Sequence, residues 1–196
     1  MSRLKDKVAI VTGSSSGIGK AIALRFGAEG AKVVVTARRM PLCEQTADQI
    51  RKSGGEAWAI QTDVGDEHKV ERLIDETVKH YGRLDILVNN AGVIAGGRLA
   101  ETTTQAFDEV MNINLRGTFF CCRAGFTQMK KQGGGIIINM SSVAGLQAWA
   151  DSGNAVTPQT AERVGVNFGS GIGGLPLIEA THDELLKNGP RRVSPF

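Results

Sequence analysis

The sequence is poor in aromatic residues and cysteine, and it has no long apolar run. Aromatic residues make up 5% of 196 residues, with a single tyrosine, Tyr81. The three cysteines include the adjacent pair Cys121 and Cys122, a spacing that fits neither a disulfide framework nor a CxxC metal site. We expect both of these cysteines to lie in the core. The apolar runs are only strand-length, and no apolar leader segment opens the chain. These absences predict a reduced, cytoplasmic protein without a metal site or a membrane span.

The sequence also has only a small excess of positive over negative charge. The formal net charge is +3, and no run of Lys and Arg is longer than two residues. Nucleic-acid-binding and membrane-surface proteins usually carry a basic stripe or a basic face. We therefore expect neither nucleic acid nor a membrane as a partner.

Short β-rich runs alternate with helical patterns along the first three quarters of the chain. This alternation is typical of a parallel sheet with crossover helices, and the near-continuous apolar runs predict strands buried on both faces. Strands are predicted at 7–12, 32–36, 57–61, 84–89 and 135–140, and helices at 17–29, 41–52, 66–81 and 104–131. Pro41 suits a first helical turn, whereas Gly82 and Gly133 suit positions just past a helix end. The prediction is an α/β domain over residues 1–145.

The pattern changes after residue 145. Residues 146–196 contain one more possible strand at 164–168, the glycine run GSGIGGL at 169–175 and an amphipathic helical stretch. No sixth and seventh βα units follow. The sheet is therefore expected to be truncated after its fifth strand, and residues 146–196 to form a short tail rather than an independent domain.

A glycine-rich loop joins the first predicted strand to the first predicted helix. The segment VTGSSSGIGKAIA places Gly13, Gly17 and Gly19 there, with Ser15 and Ile18 between them. Such glycines allow a sharp turn, close approach of backbone N–H groups to a pyrophosphate, and tight packing of helix on sheet. The position of the loop predicts a doubly wound, Rossmann-type dinucleotide site. The alternative is a merely flexible turn.

Five motifs in order connect this region to a known family. They are TGxxxGIG, TDV at 62–64, NNAG at 89–92, NINLRGTF at 112–119 and INMSS at 138–142. Over residues 5–145 the chain resembles the short-chain dehydrogenase/reductase family. The resemblance implies that Asp63 and Val64 contact the adenine of the cofactor and that Asn89, Ala91 and Gly92 line the cofactor cleft. It also implies an oxidoreductase that forms homo-oligomers.

The end of the second strand bears on the choice of cofactor. An NAD site usually has an acidic residue there, which takes the ribose hydroxyls. This chain has Thr36 and Ala37, followed by Arg38 and Arg39. A guanidinium pairs well with a 2′-phosphate, so the residues favour NADP(H) over NAD(H), which stays possible. The alternative is a solvated arginine pair at the start of a loop.

The resemblance also implies catalytic roles. Ser142, with Ser141 as a close alternative, would orient the substrate carbonyl, and Asn114 would support a water-linked proton path. Without the resemblance, Asn114 would be read as bonded to backbone within a helix, and Ser142 as capping a turn.

The family's catalytic Tyr and Lys, which lie one helical turn apart, have no counterpart in this chain. The residues at the expected place are 154–156 and Gln159, and none of them is Tyr or Lys. Tyr81 ends the helix before the fourth strand, at the edge of the sheet opposite the cofactor. We therefore expect a structural role for Tyr81 and no catalytic acid in the chain.

The tail has a resemblance of its own. From about residue 143 to 196, including GSGIGGL and the closing GPRRVSPF, the chain resembles β-ketoacyl-acyl-carrier-protein synthases. That family's nucleophilic Cys and two His would lie beyond residue 196. A join near 143–145 would explain the missing Tyr and Lys, and both families serve fatty-acid metabolism.

Three hypotheses follow. The first is an NADP(H)-dependent carbonyl reductase or alcohol dehydrogenase, with a small carbonyl or alcohol substrate such as a 3-oxoacyl thioester. The second is a nucleotide-binding chimera without catalysis. The third is a condensing-enzyme fragment.

Overall fold

A computed structural model of the chain describes residues 2–94 and 99–141. The strands are β1 (Val8–Thr12), β2 (Lys32–Ala37), β3 (Glu56–Gln61), β4 (Ile86–Asn89) and β5 (Ile136–Asn139). The α-helices are α1 (Gly17–Ala28), α2 (Met40–Lys52), α3 (Glu67–Tyr81), α4 (Thr104–Val110) and α5 (Thr118–Lys131). A 3₁₀ turn covers Leu99–Glu101, and a π-helical segment covers Met111–Gly117. Each of the five strands predicted before residue 145 is present, with its ends within two residues of the prediction.

The five described strands form one sheet in the order β3-β2-β1-β4-β5. The pairs β1–β2, β1–β4 and β2–β3 are parallel; Val8 lies opposite Lys32, and Lys32 lies opposite Glu56. The chain moves outward from β1 to β3 and then returns to the other side of β1. This reversal creates a topological switch point between β1 and β4, where α/β sheets bind their ligands. The predicted doubly wound parallel fold is confirmed.

Burial explains why these runs form strands. Residues Val8–Val11 and Val33–Val35 are at most 1% exposed, because helices cover both faces of the inner strands. The core on one face joins β1, β2 and β4 to α3 and α5 through residues such as Ile10, Leu73 and Leu87. β5 differs: its residues are partly exposed, and Ile136 is 59% exposed.

Helix α3 shows how local signals set the helix ends. Asp66 caps its N-terminus, where the carboxylate accepts a hydrogen bond of 3.2 Å from the backbone N–H of Lys69. Gly82 ends the helix in the left-handed conformation at φ +80°, as the sequence predicts. The residues Val70, Leu73, Ile74 and Thr77 form its buried face.

The single helix predicted at 104–131 is divided in the structure. The π-helical segment interrupts it and joins α4 to α5. At the end of this segment Gly117 approaches Val64 so closely that an added Cβ would lie 2.8 Å from the Val64 Cγ2 atom. Periodicity cannot reveal this interruption, because a π turn adds a residue without changing the composition.

Several sequence-based predictions fall outside the described residues. They are the strand at 164–168, the amphipathic helix of the tail, the domain boundary at 145 and the position of Ser142. In the ranges 2–94 and 99–141, no helix has the length and apolar character needed to cross a bilayer.

Candidate functional site

The glycine loop lies at the carboxyl end of β1, and its shape requires glycine. Gly13 has φ +66°, and a Cβ there would lie 2.8 Å from the Cα of Ala91. A Cβ on Gly19 would lie 2.6 Å from the carbonyl oxygen of Gly13, so helix α1 packs directly on the loop. Gly17 is different: its φ is +57°, and a Cβ there would meet no atom within 4 Å. The loop is therefore packed on two sides and open at Gly17, as phosphate binding at the start of α1 requires.

Thr12 connects this loop to the loop after β4. Its Oγ1 accepts hydrogen bonds of 3.0 Å from the backbone N–H groups of Asn90 and Ala91, and it lies 3.3 Å from the carbonyl oxygen of Val88, to which it donates. The side-chain amide of Asn90 returns a 2.9 Å bond to the Thr12 carbonyl oxygen. No role was predicted for Thr12 from the sequence, and Asn90 was named there only as part of the NNAG motif. The one sequence feature that could have indicated this role is the position of Thr12 directly before Gly13.

A second set of bonds joins the loop to β2. Ser14 is fully buried, and its hydroxyl donates to the Val11 carbonyl oxygen at 2.6 Å and accepts from the Thr36 N–H at 3.0 Å. The Ser14 N–H donates to the Thr36 carbonyl oxygen at 3.2 Å. Of the predicted loop residues, Ser15 is buried, whereas Ile18 is 41% exposed and available to a ligand.

A cavity of about 260 Å³ lies past the carboxyl end of β3. The residues that line it are Arg38, Gln61, Asp63, Lys69 and Arg72. Asp63 turns the chain there, because its Oδ1 accepts a 3.0 Å bond from the Gly65 N–H. Val64 is buried against Gly117. The cavity therefore has a cationic wall and one carboxylate, Asp63, beside the end of β2.

The two arginines after β2 have different partners. The Nη2 of Arg39 donates to the Ser16 hydroxyl of the glycine loop at 3.4 Å. The Nη1 of Arg38 lies 3.8 Å from the Oε1 of Glu109 in α4. Thr36 and Ala37 end the strand, so β2 ends without a carboxylate of its own.

The loop after β4 lies against the π-helical segment. The side-chain amide of Asn114 makes two 2.8 Å bonds to Val93, one to its N–H and one to its carbonyl oxygen. A Cβ on Gly92 would lie 3.5 Å from the Asn114 Oδ1. Asn89 is buried, and its amide donates to the Cys122 sulfur at 3.2 Å. Asn114 thus holds the chain just past Gly92 in place.

Tyr81 and Cys121 lie away from the loops at the carboxyl edge of the sheet. The Tyr81 ring lies near Lys32, the first residue of β2, with 5.6 Å from the Lys32 Nζ to the ring centroid, so it occupies the opposite edge of the sheet as predicted. Burial raises the pKa of Tyr81 to about 12. Cys121 is in the core as predicted, and burial raises its pKa to about 12 as well. Cys122, also predicted to be core, is only half-buried because it is one helical position further round.

The structure brings nearly all the predicted site residues to one edge of the sheet. They follow the carboxyl ends of β1 to β4, with Asn114 packed over the loop after β4. The predicted binding residues at this edge are Gly13, Ser15, Gly17, Ile18, Gly19, Arg38, Arg39, Asp63, Val64, Asn89, Ala91 and Gly92. Ser142 lies outside the described residues.

A parallel sheet with a glycine loop at the end of β1, beside the topological switch point, defines a dinucleotide-binding protein of the Rossmann type. The sequence profile described as short chain dehydrogenase matches residues 7–154. The chain therefore belongs to the short-chain dehydrogenase family of oxidoreductases. Membership implies an NAD(P) cofactor. The glycine loop leaves space for a phosphate at Gly17, and the cavity past β3 is lined by cationic side chains, so both features fit a dinucleotide.

Known relatives agree with this assignment. The chain is 46% identical to versicolorin reductase 1 of Aspergillus parasiticus over 143 residues, which are 72% of this chain and 54% of that protein. It is 43% identical over 145 residues to a probable tetrahydroxynaphthalene reductase of Zymoseptoria tritici, covering 74% of this chain and 54% of the relative. The crystal structure of a putative short-chain dehydrogenase/reductase from Burkholderia xenovorans matches with a TM-score of 0.72 and 36% identity, over 74% of this chain and 60% of that one. The chain spans about half the length of the curated relatives it matches.

Proposed function

We propose that the chain is an NADP(H)-binding short-chain dehydrogenase domain in which hydride transfer is slow or absent. The observation that carries the cofactor preference is the Arg39 guanidinium, which lies 3.4 Å from Ser16 on the glycine loop. A cation at this point, after a strand that ends without an acid, suits a ribose 2′-phosphate. The position of Arg38 beside the cationic cavity adds a second positive charge nearby.

The proposal assigns binding roles to the residues of the carboxyl edge. Backbone N–H groups at Gly17 and Gly19 would hold the pyrophosphate, Asp63 and Val64 the adenine, and Asn89, Ala91 and Gly92 the nicotinamide half of the cleft. When bound, the cofactor supplies a hydride donor or acceptor. Asn114 would act by holding the loop after β4 in position.

The substrate class we propose is a small carbonyl compound or alcohol, as the names of the reductase relatives suggest. The sequence has no Tyr or Lys at the family's catalytic positions. A general acid contributes roughly a hundred- to ten-thousand-fold to such a rate. We therefore expect cofactor binding with little or no turnover.

The binding test is a titration of the 196-residue protein with NADPH and NADH. We expect NADPH to bind more tightly, and Arg39→Gln to weaken NADPH binding by about ten-fold or more while leaving NADH nearly unchanged, since charged hydrogen bonds contribute about 1.5–3 kcal/mol. Arg25→Gln is the matched control, because Arg25 is also exposed but pairs with Glu29 at the end of α1. Equal loss of both cofactors in Arg39→Gln would refute the assignment.

Turnover is tested separately, by following NADPH oxidation with a panel of ketones, aldehydes and 3-oxoacyl thioesters. No oxidation above the rate without protein supports a binding domain. Steady turnover at a rate typical of complete reductases would overturn the proposal of an inactive chain and favour the first hypothesis, an active reductase.

A second candidate concerns residues 146–196. The GSGIGGL run and the closing GPRRVSPF favour a fragment resembling a β-ketoacyl-acyl-carrier-protein synthase, joined to the dehydrogenase part near 143–145. This proposal rests on the sequence of the tail alone. Sequencing genomic DNA across codons 140–155, with an intact mass of the expressed protein, tests it. A genomic sequence that encodes the family's Tyr and Lys in this interval would refute the join.

A further inference from the structure

Arg38 and Arg39 are adjacent in the chain, but the structure directs them to different partners. Arg39 reaches the glycine loop at Ser16, whereas Arg38 reaches Glu109 of α4. Both arginines were predicted to bind the cofactor. The geometry separates them: the Arg39 guanidinium lies beside the glycine loop, and the Arg38 guanidinium is paired with a carboxylate.

The backbone that carries Arg38 is held in place. The side-chain amide of Gln61 donates to the Arg38 carbonyl oxygen at 2.8 Å, and the Thr62 N–H donates to the Ala37 carbonyl oxygen at 3.1 Å. The end of β2 is thus tied to the end of β3. A change in what Arg38 contacts must therefore come mainly from its side chain, which is 55% exposed and free to reorient.

The Arg38–Glu109 pair is weak enough for a ligand to compete with it. The two groups are 3.8 Å apart, and their side chains are 55% and 57% exposed. Exposed ion pairs shift an equilibrium only about 1.4- to five-fold, which corresponds to about 0.2–1 kcal/mol. A phosphate group carries more charge than a carboxylate and can accept two bonds from one guanidinium. Glu109 opposes that exchange because it occupies the Arg38 guanidinium.

We propose that Glu109 is a specificity-determining residue, which holds Arg38 away from the ribose 2′-phosphate and so reduces the preference for NADP(H) over NAD(H). This inference rests on the proposed function. In this proposal Arg39, beside the glycine loop, binds the 2′-phosphate first. Arg38 can add a second contact to the phosphate only when it leaves Glu109. NADH lacks the 2′-phosphate, so its binding does not depend on this exchange.

The experiment compares Kd values for NADPH and NADH in the full chain with Glu109→Gln. Loss of the restraint should tighten NADPH binding by about 1.4- to five-fold, the range that an exposed pair of this kind allows. NADH binding should stay unchanged within error. The control is Glu56→Gln, which removes an equally exposed carboxylate paired with Lys32 at 3.5 Å, at the opposite edge of the sheet. That control should alter neither Kd.

A double-mutant cycle shows whether the effect passes through Arg38. In an Arg38→Gln background, Glu109→Gln should have no further effect on NADPH binding. Unchanged or weaker NADPH binding in Glu109→Gln, equal tightening of NADH, or a gain that persists without Arg38 would each overturn the inference while the proposed function stands. If the unaltered chain binds neither dinucleotide, the proposed function and this inference both fall.

Discussion

Thr12 connects the two loops of the cleft through a single hydroxyl, and Thr12→Val removes that hydroxyl while keeping the shape of the side chain. Thr12 is 1% exposed, and its Oγ1 is the acceptor for the N–H groups of Asn90 and Ala91. In the variant both donors would face a methyl group. The loop after β4 would then lose the contacts that hold it against the glycine loop.

The magnitude follows from those two donors. A buried donor left without a partner costs about 1–3 kcal/mol. Asn90 and Ala91 are only half-buried, so water can compensate in part, and the lower part of that range applies to each. The expected loss in the free energy of unfolding is about 2–4 kcal/mol, which lowers the melting temperature of a domain of this size by roughly 10 °C.

The assay is thermal and denaturant unfolding of the variant, together with its Kd for NADPH. Thr12→Ser is the control, because it keeps the hydroxyl and loses only a buried methyl group, at a cost of about 1 kcal/mol. We expect weaker NADPH binding in Thr12→Val than in Thr12→Ser. If Thr12→Val is as stable as Thr12→Ser and binds NADPH equally well, the hydroxyl does not hold the two loops together.

Three further predictions concern single positions. Gly19→Ala places a Cβ 2.6 Å from the Gly13 carbonyl oxygen, so we expect a loss of about 1–3 kcal/mol and weaker NADPH binding. Gly54→Ala meets no atom within 4 Å but strains a backbone at φ +85°, so it should lower stability and leave the Kd unchanged. A normal Kd in Gly19→Ala would contradict this packing. Burial raises the pKa of Tyr81 to about 12, so its stabilising contribution is complete below pH 10 and lost as the pH rises towards 12. Unfolding midpoints measured across this interval should fall less steeply in Tyr81→Phe, and an identical slope would argue against a buried phenol. Cys121 is 1% exposed with a pKa of about 12, so iodoacetamide should modify it only after unfolding; mass spectrometry that finds early modification would show that the α5 core opens.

The strands were predictable because their signal is local. Val33, Val34 and Val35 form an unbroken apolar run, and a strand covered on both faces requires such a run. The end of α3 at Gly82 was equally readable, since a left-handed position favours glycine. The π-helical segment could not be read, because the composition of residues 111–117 is that of an ordinary helix.

The sequence predicted which residues form the candidate site, but not the hydrogen bonds that join them. The glycine loop, Asp63 and the arginine pair were identified from motifs and spacing. The bonds from Asn114 to Val93 and from Asn90 to Thr12 were not, because they join residues 21 and 78 positions apart in the chain. The periodic patterns of helices and strands report local structure, so they cannot predict a hydrogen bond between residues so far apart in the chain.

The sequence by itself determined the fold class, the family and the edge of the sheet at which the predicted cofactor-binding residues lie, because buried strands and glycine turns leave local patterns. It also shows that residues 154–156 and 159, where the family resemblance places the catalytic pair, are neither Tyr nor Lys. Only the tertiary structure decided which arginine lies beside the glycine loop and which one pairs with Glu109. That choice depends on the positions of α4 and the loop after β1, which meet β2 only in the folded chain.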